Sequence, residues 1–145
     1  MKYSESESLK LHNQLCFTLY STSLAMSRLY KPLLSKLHLT YPQYLIMLIL
    51  WERDGITVTD ISKLLHQEKG ALSPVIKRLE KQQLIVRQRN KQDDRLVNIS
   101  LTKAGQQLKE QAASIPQQIL CSTGLEINDV LTLKAKLEQV RNSLD

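Results

Sequence analysis

Glycine and proline are scarce in this chain, with four of each in 145 residues. So few chain-breaking residues argue against a loop-rich fold and predict long regular elements. Cysteine is scarcer still: Cys16 and Cys121 stand far apart and do not make a disulfide scaffold. No apolar run approaches the length of a bilayer span, which takes about 20 residues. The longest, "YLIMLILW", covers only the eight positions from Tyr44 to Trp51. The polar opening "MKYSESESLK" has neither the apolar stretch of a signal peptide nor the composition of a transit peptide. The cytoplasm is therefore the expected compartment, where thiols stay reduced. His12 and Cys16 share one helical spacing, but two ligands do not make a metal site, and no metal or cofactor is expected.

Positive charge is what the chain has in excess, and it is concentrated. The formal net charge is +6. Between Lys69 and Arg95 stand eight basic residues against three acidic ones, so this window holds nearly all of the surplus. Charge gathered in one segment points to a polyanionic partner.

Apolar spacing gives the elements. Leu9, Cys16, Leu19, Tyr20, Met26, Tyr30, Leu33 and Leu37 form one stripe, which predicts a helix over residues 7 to 37, interrupted or kinked at Pro32. Tyr41 is expected extended before Pro42, and a helix from there to about Arg53 is apolar nearly all round, hence central. "ITVTDISKLLHQEKGALSPVIKRLEKQQL" reads as helix, turn, helix, with Thr57 capping toward Asp60 and with Ile61, Leu64 and Leu65 inward. Pro74 requires the second of these helices to begin near Gly70, so that the proline falls early. In "LIVRQRNKQDDRLVNISLT" the period changes to two, the mark of a two-stranded hairpin. Thr102 caps a helix from Lys103 to about Leu120, and a last helix follows Gly124, from about Glu126 to Ser143. The fold class is mainly α with a small β-hairpin.

A helix-turn-helix followed by a basic hairpin is a winged-helix layout for double-stranded DNA. The second helix enters the major groove and the wing follows the backbone or the adjacent minor groove. Lys69, Ser73, Lys77 and Arg78 face outward on that helix. At the hairpin tip, Asp93 and Arg95 share one side of the chain, where the carboxylate can fix the guanidinium for a narrow minor groove. Arg87, Arg89 and Lys91 add phosphate contacts.

"VTDISKLLHQEKGALSPVIKRLEKQQLIVRQRNKQDDRLVNISLTKAG" resembles the core of the MarR family of winged-helix regulators, with its Asp-x-Arg wing and closing "LT..G". "NQLCFTLYSTSLAMSRLYKPLLSKLHLTYPQYLIMLILWE" is similar to the organic hydroperoxide-sensing repressors of that family. The resemblance covers about residues 10 to 122. It implies one domain over 1–145, with a winged helix-turn-helix at about 42–101 and dimerisation helices at about 7–37 and 103–144. It implies a cytoplasmic homodimeric repressor on a palindromic operator, with Cys16 as the peroxide-reactive thiol, Tyr30 and Tyr41 as its tyrosine partners, and Cys121 as the resolving thiol that closes a disulfide. Lys69 and Ala71 depart from the small hydroxyl residues expected at the start of the recognition helix.

Spacing bears on the same point. Cys16 and Tyr30 lie roughly 21 Å apart along a helix rising about 1.5 Å per residue, so they meet only across a two-fold axis. First helices crossing antiparallel near Ser23, past the small residues Ser21, Thr22 and Ala25, would bring them together. Cys16 is expected well inside its helix, leaving phenol hydroxyls rather than a helix N-terminus to stabilise the thiolate. Two other functions fit the residues. One is a regulator that binds a small phenolic or lipid-like ligand, with Cys16 incidental; the other is a thiol peroxidase.

Overall fold

In a computed structural model, residues 4–145 are described; the first three residues of the polar opening lie outside them. The chain divides into two compact units, one ending at Gln111 and the other spanning Ala112–Asp145.

The first unit opens on pieces instead of one long helix. Helix α1 is Glu5–Ser8, a short 3-10 turn covers Leu11–Asn13, and α2 runs Leu15–Ser35. Side-chain amides break the register: Asn13 Nδ2 donates to the Glu7 carbonyl and Gln14 Nε2 to those of Ser8 and Lys10. These bonds occupy carbonyls that a continuous helix would use, so the expected helix over residues 7 to 37 is corrected to one starting at Leu15. Leu9, placed on its apolar stripe, is 86% exposed. Pro32 is carried inside α2 without ending it.

Helix α3 (Tyr41–Glu52) starts with a capping box: the Thr40 hydroxyl accepts from Gln43 N–H and the Gln43 side chain accepts from Thr40 N–H. The extended residue is thus Thr40, and Tyr41 opens the helix instead of preceding it. Tyr44, Ile46, Met47 and Leu50 are buried, but Leu48 on the same helix is 38% exposed, so α3 is not covered all round as its apolar pattern led us to expect. Trp51 Nε1 donates to the Gly105 carbonyl at 2.9 Å.

Helix α4 (Val58–Leu65) has Thr57 as N-cap, accepting from Asp60 N–H, and ends at His66 in the left-handed region. Ile61 is buried, but Leu64, expected inward, is 50% exposed. Helix α5 (Lys69–Lys81) buries Leu72, Ile76 and Leu79. Pro74 is its sixth residue, beyond the first turn, and the helix continues. The carbonyl that a Pro74 N–H would have met belongs to Gly70, in the first turn of the helix.

The hairpin is β2 (Ile85–Arg89) and β3 (Val97–Leu101), paired antiparallel with Arg87 opposite Ile99. A third strand, β1 (Ile56–Thr57), joins the other edge of β3 with Ile56 opposite Ile99, giving the order β1-β3-β2. Two residues are too short to show a period of two, which is why the sequence shows only the hairpin. Thr102 Oγ1 accepts from Gly105 N–H and starts α6 (Lys103–Ala112).

The second unit contains α7 (Ile115–Ser122) and α8 (Ile127–Leu144). The single helix expected over residues 103 to 120 is split between α6 and α7, because Pro116 fits the first turn of a helix better than its interior. Gly124, at φ +68°, ends the segment before α8. No residue of α8 is buried. Among the described residues no helix is long and apolar enough to cross a membrane.

Candidate nucleic-acid interface and thiol pocket

On α5 the inward leucines and isoleucine leave Lys69, Lys77 and Arg78 exposed, with Ser73 partly covered. Lys69, Ser73, Arg87 and Arg95 line a cleft of about 240 Å³ between α5 and the wing. This brings the start of the helix and the base of the hairpin onto one basic surface. Arg89 and Lys91 are exposed along the wing.

The two wing arginines differ in how they are held. Arg95 Nε and Nη2 both donate to the Asp93 carboxylate, at 3.1 Å each, while Arg95 N–H donates to Asp93 Oδ1 at 3.0 Å. These hydrogen bonds hold the Asp93 carboxyl below its usual range. The Arg95 side chain is nonetheless 89% exposed, a guanidinium braced on its inner edge and open to solvent beyond. Arg87 makes a similar fork, but with Glu80 on α5, at 3.1 and 3.0 Å. The hydrogen bond from Arg87 lowers the Glu80 carboxyl. Arg87 is therefore held by an internal carboxylate, which the sequence did not reveal because the partners belong to different elements.

Asn90 shapes the wing tip and was not singled out by sequence. Its Oδ1 accepts from Gln92 and Asp93 N–H, its Nδ2 donates to Asn98 Oδ1, and its backbone N–H donates to the Leu96 carbonyl. The Asn-Lys-Gln-Asp order is the signal for such an Asx turn.

Cys16 is the second residue of α2 and is exposed. This corrects the expectation that it lies well inside a helix: the helix begins at Leu15, and its N-cap, Gln14, offers no side-chain capping bond. The amides of the first turn and the positive end of the helix dipole are thus next to the thiol.

Tyr30, late in α2, and Tyr41, opening α3, pack with ring centres 4.7 Å apart and planes tilted by 47°. Tyr44 completes a cluster at 5.8 Å from Tyr30 and 6.3 Å from Tyr41, and in turn meets Trp51 edge-on at 6.5 Å. Tyr44 was read only as a core residue. Burial, then the neighbouring phenols of Tyr41 and Tyr44, push Tyr30 up to about 12. Burial also raises Tyr41 and Tyr44. All three phenols hence stay protonated at neutral pH and can donate. Tyr30 and Tyr41 line a cavity of about 310 Å³ with Ser27, Lys31, Leu34 and Thr40. Cys16 is not among its lining residues. Cys121, on α7 in the second unit, is exposed and accepts from Gln117 Nε2 at 3.5 Å. Among the described residues no three His, Cys, Asp or Glu side chains are grouped to hold a metal ion.

Residues 28–112 match the family profile described as "Transcriptional regulator SarA/Rot". The chain is 46% identical over 136 residues to the "Organic hydroperoxide resistance transcriptional regulator" of Bacillus subtilis (strain 168), covering 94% of this chain and 92% of that one. Its fold matches AbfR of Staphylococcus epidermidis, 33% identical, in the reduced form bound to DNA with a TM-score of 0.80, covering 97% of this chain and 99% of the other. The disulfide form of AbfR matches with a TM-score of 0.61 over 97% and 93%.

Proposed function

The chain belongs to the MarR family of winged-helix DNA-binding transcriptional regulators, and from that premise we propose that it is a cytoplasmic homodimeric repressor that releases its operator when organic hydroperoxides oxidise Cys16. The family consists of regulators and not enzymes, which removes the thiol peroxidase reading. The observation that carries the proposal is the placement of Cys16: exposed, in the first turn of a helix whose later turns support the Tyr30–Tyr41–Tyr44 cluster. Support comes also from the Bacillus subtilis relative, whose name joins hydroperoxide resistance to transcription.

The chemistry balances with two thiols. The Cys16 thiolate, facing the positive end of the α2 dipole, attacks the terminal oxygen of the hydroperoxide. An S–O bond forms, the O–O bond breaks, and the alkoxide leaves with its electron pair and takes a proton as the alcohol. The Cys121 thiol then displaces water from the sulfenic acid and closes a disulfide. A cellular dithiol reverses the step by exchange.

A second copy supplies the phenols. Leu15, Phe17, Leu19 and Leu24 are exposed on α2, and Leu131, Leu133, Leu137 and Val140 on α8. Apolar surface of this extent on two helices supports pairing with a second copy. An isologous pairing would set Cys16 against the tyrosine cluster of the second copy, twice. It would also present two α5 helices and two wings to a palindromic site. A disulfide demands Cα atoms within about 7 Å, so closing it repositions the helices and spoils that match.

The test is binding of the reduced protein to the DNA upstream of its own gene during titration with cumene hydroperoxide. Release near one equivalent per subunit is expected for the wild type and is abolished in Cys16→Ser. In Cys121→Ser, reversal by dithiothreitol should become incomplete as Cys16 over-oxidises. The second reading is a small phenolic or lipid-like ligand in the cavity beside Tyr30, whose volume of about 310 Å³ suits one. Release by such a compound in Cys16→Ser would favour it.

A further inference from the structure

Gln43 is the buried polar side chain of the described core, 3% exposed. Its capping duty at the start of α3 uses only Oε1, which accepts from Thr40 N–H at 2.8 Å. Its Nε2 is aimed elsewhere: it donates to Gln82 Oε1 at 2.8 Å, 39 positions along the chain. Gln82 is the C-cap of α5, and its own Nε2 donates to the His38 carbonyl, also at 2.8 Å. Gln82 is exposed, so water could serve both ends of its amide. Instead two side chains in series tie together the segment after α2, the first turn of α3 and the last turn of α5.

That first turn also carries Tyr41, whose ring packs against Tyr30. We infer that Gln43 and Gln82 are positioning residues for DNA binding, a polar strut that carries a displacement of Tyr41 in the thiol pocket to the C-terminal end of the DNA-reading helix. Directional bonds suit this task better than the surrounding apolar contacts. Packed side chains tolerate sliding, whereas a hydrogen bond weakens steeply with angle and distance. A push on the C-cap of α5 tilts Lys77 and Arg78 in its last turns and leaves its buried face as a fulcrum.

The role of Tyr41 in the thiol pocket rests on the function proposed above, so the test separates the two. The reduced wild type, Tyr41→Ala, Gln82→Ala and the double variant are titrated against the same upstream duplex by fluorescence anisotropy, with thermal melting as the folding control. Tyr41→Ala is expected to weaken binding about five-fold when Gln82 is present and less than about two-fold when it is not, the non-additivity of a coupled pair. Equal factors in both backgrounds, or no effect of Tyr41→Ala at all, would overturn the strut. The cycle needs no oxidant. In a parallel arm with cumene hydroperoxide, the ratio of oxidised to reduced dissociation constants should shrink in Gln82→Ala while sulfenic acid formation at Cys16 proceeds as in the wild type. An unshrunken ratio counts against the strut. A wild type that keeps its DNA under peroxide sinks the sensing mechanism, and the cycle still decides the strut.

Discussion

Arg87 and Arg95 separate the charge of a side chain from its availability. Both are gripped by a carboxylate in a two-bond fork, but Asp93 supports Arg95 from within the wing, whereas Glu80 draws Arg87 toward α5. The sequence marked Arg87 from charge alone and Arg95 from its spacing to Asp93; only the Asp93–Arg95 pairing was legible, because the partners stand two positions apart. Asp93→Ala removes a negative charge from the proposed DNA-binding surface, yet it is expected to weaken binding by about five-fold or more, since Arg95 loses its brace. Arg95→Ala should weaken it comparably and reduce the slope of log affinity against log salt by about one. A stronger complex with Asp93→Ala would show that the carboxylate acts only as a repulsive charge.

The phenols give a second residue-scale prediction. Tyr30 ionises near 12 in the folded protein against an ordinary value near 10. The unfolded chain therefore loses its proton first, and the contribution to stability is complete below pH 10 and lost as pH rises to about 12. Spectrophotometric titration at 295 nm should show a late-ionising component that disappears in Tyr30→Phe.

Elements were legible where a period had room to express itself. The twelve residues of α3 and thirteen of α5 carry enough apolar positions to be recognised, and both ends of α3 and the start of α5 were placed within a residue, whereas the apolar pattern ran on to Leu84, past the end of α5 at Lys81. The break before Leu15 was not, because side-chain amides reaching back four to six positions made it, and apolar spacing does not record them. That one missed boundary moved Cys16 from mid-helix to a helix start and changed its electrostatic setting. Packing between elements was equally silent. A Cβ on Gly105 would stand 2.1 Å from the Leu84 carbonyl oxygen, which belongs to backbone and has no rotamer to yield. The same glycine accepts the Trp51 indole N–H. Gly105→Ala is expected to destabilise the protein by about 2 kcal/mol or more, read as a lowered urea midpoint. Leu79→Ala, from a fully buried position on α5, should cost about 2–5 kcal/mol by the same measurement.

At the scale of the molecule, positive charge and apolar surface are kept apart in the sequence. The charge stands between Lys69 and Arg95; groups of exposed leucines stand on α2 and α8. Charge placement was plain from composition, but the unburied state of α8 was not, since a leucine at helical spacing looks the same whether its own chain or another covers it. Leu137→Lys is expected to shift sedimentation from dimer toward monomer and to cut operator affinity with it, while binding to non-specific DNA keeps its steep salt dependence.

The bare face of α8 reaches further, to how much of this protein a cell must make. Under the proposed pairing, its leucines stay in contact with water until a second copy covers them. In that pairing a lone copy is the form that proteases and chaperones see, so the paired form rises more steeply than synthesis. A regulator paired in this way would lose more than half of its paired form when its gene dosage is halved.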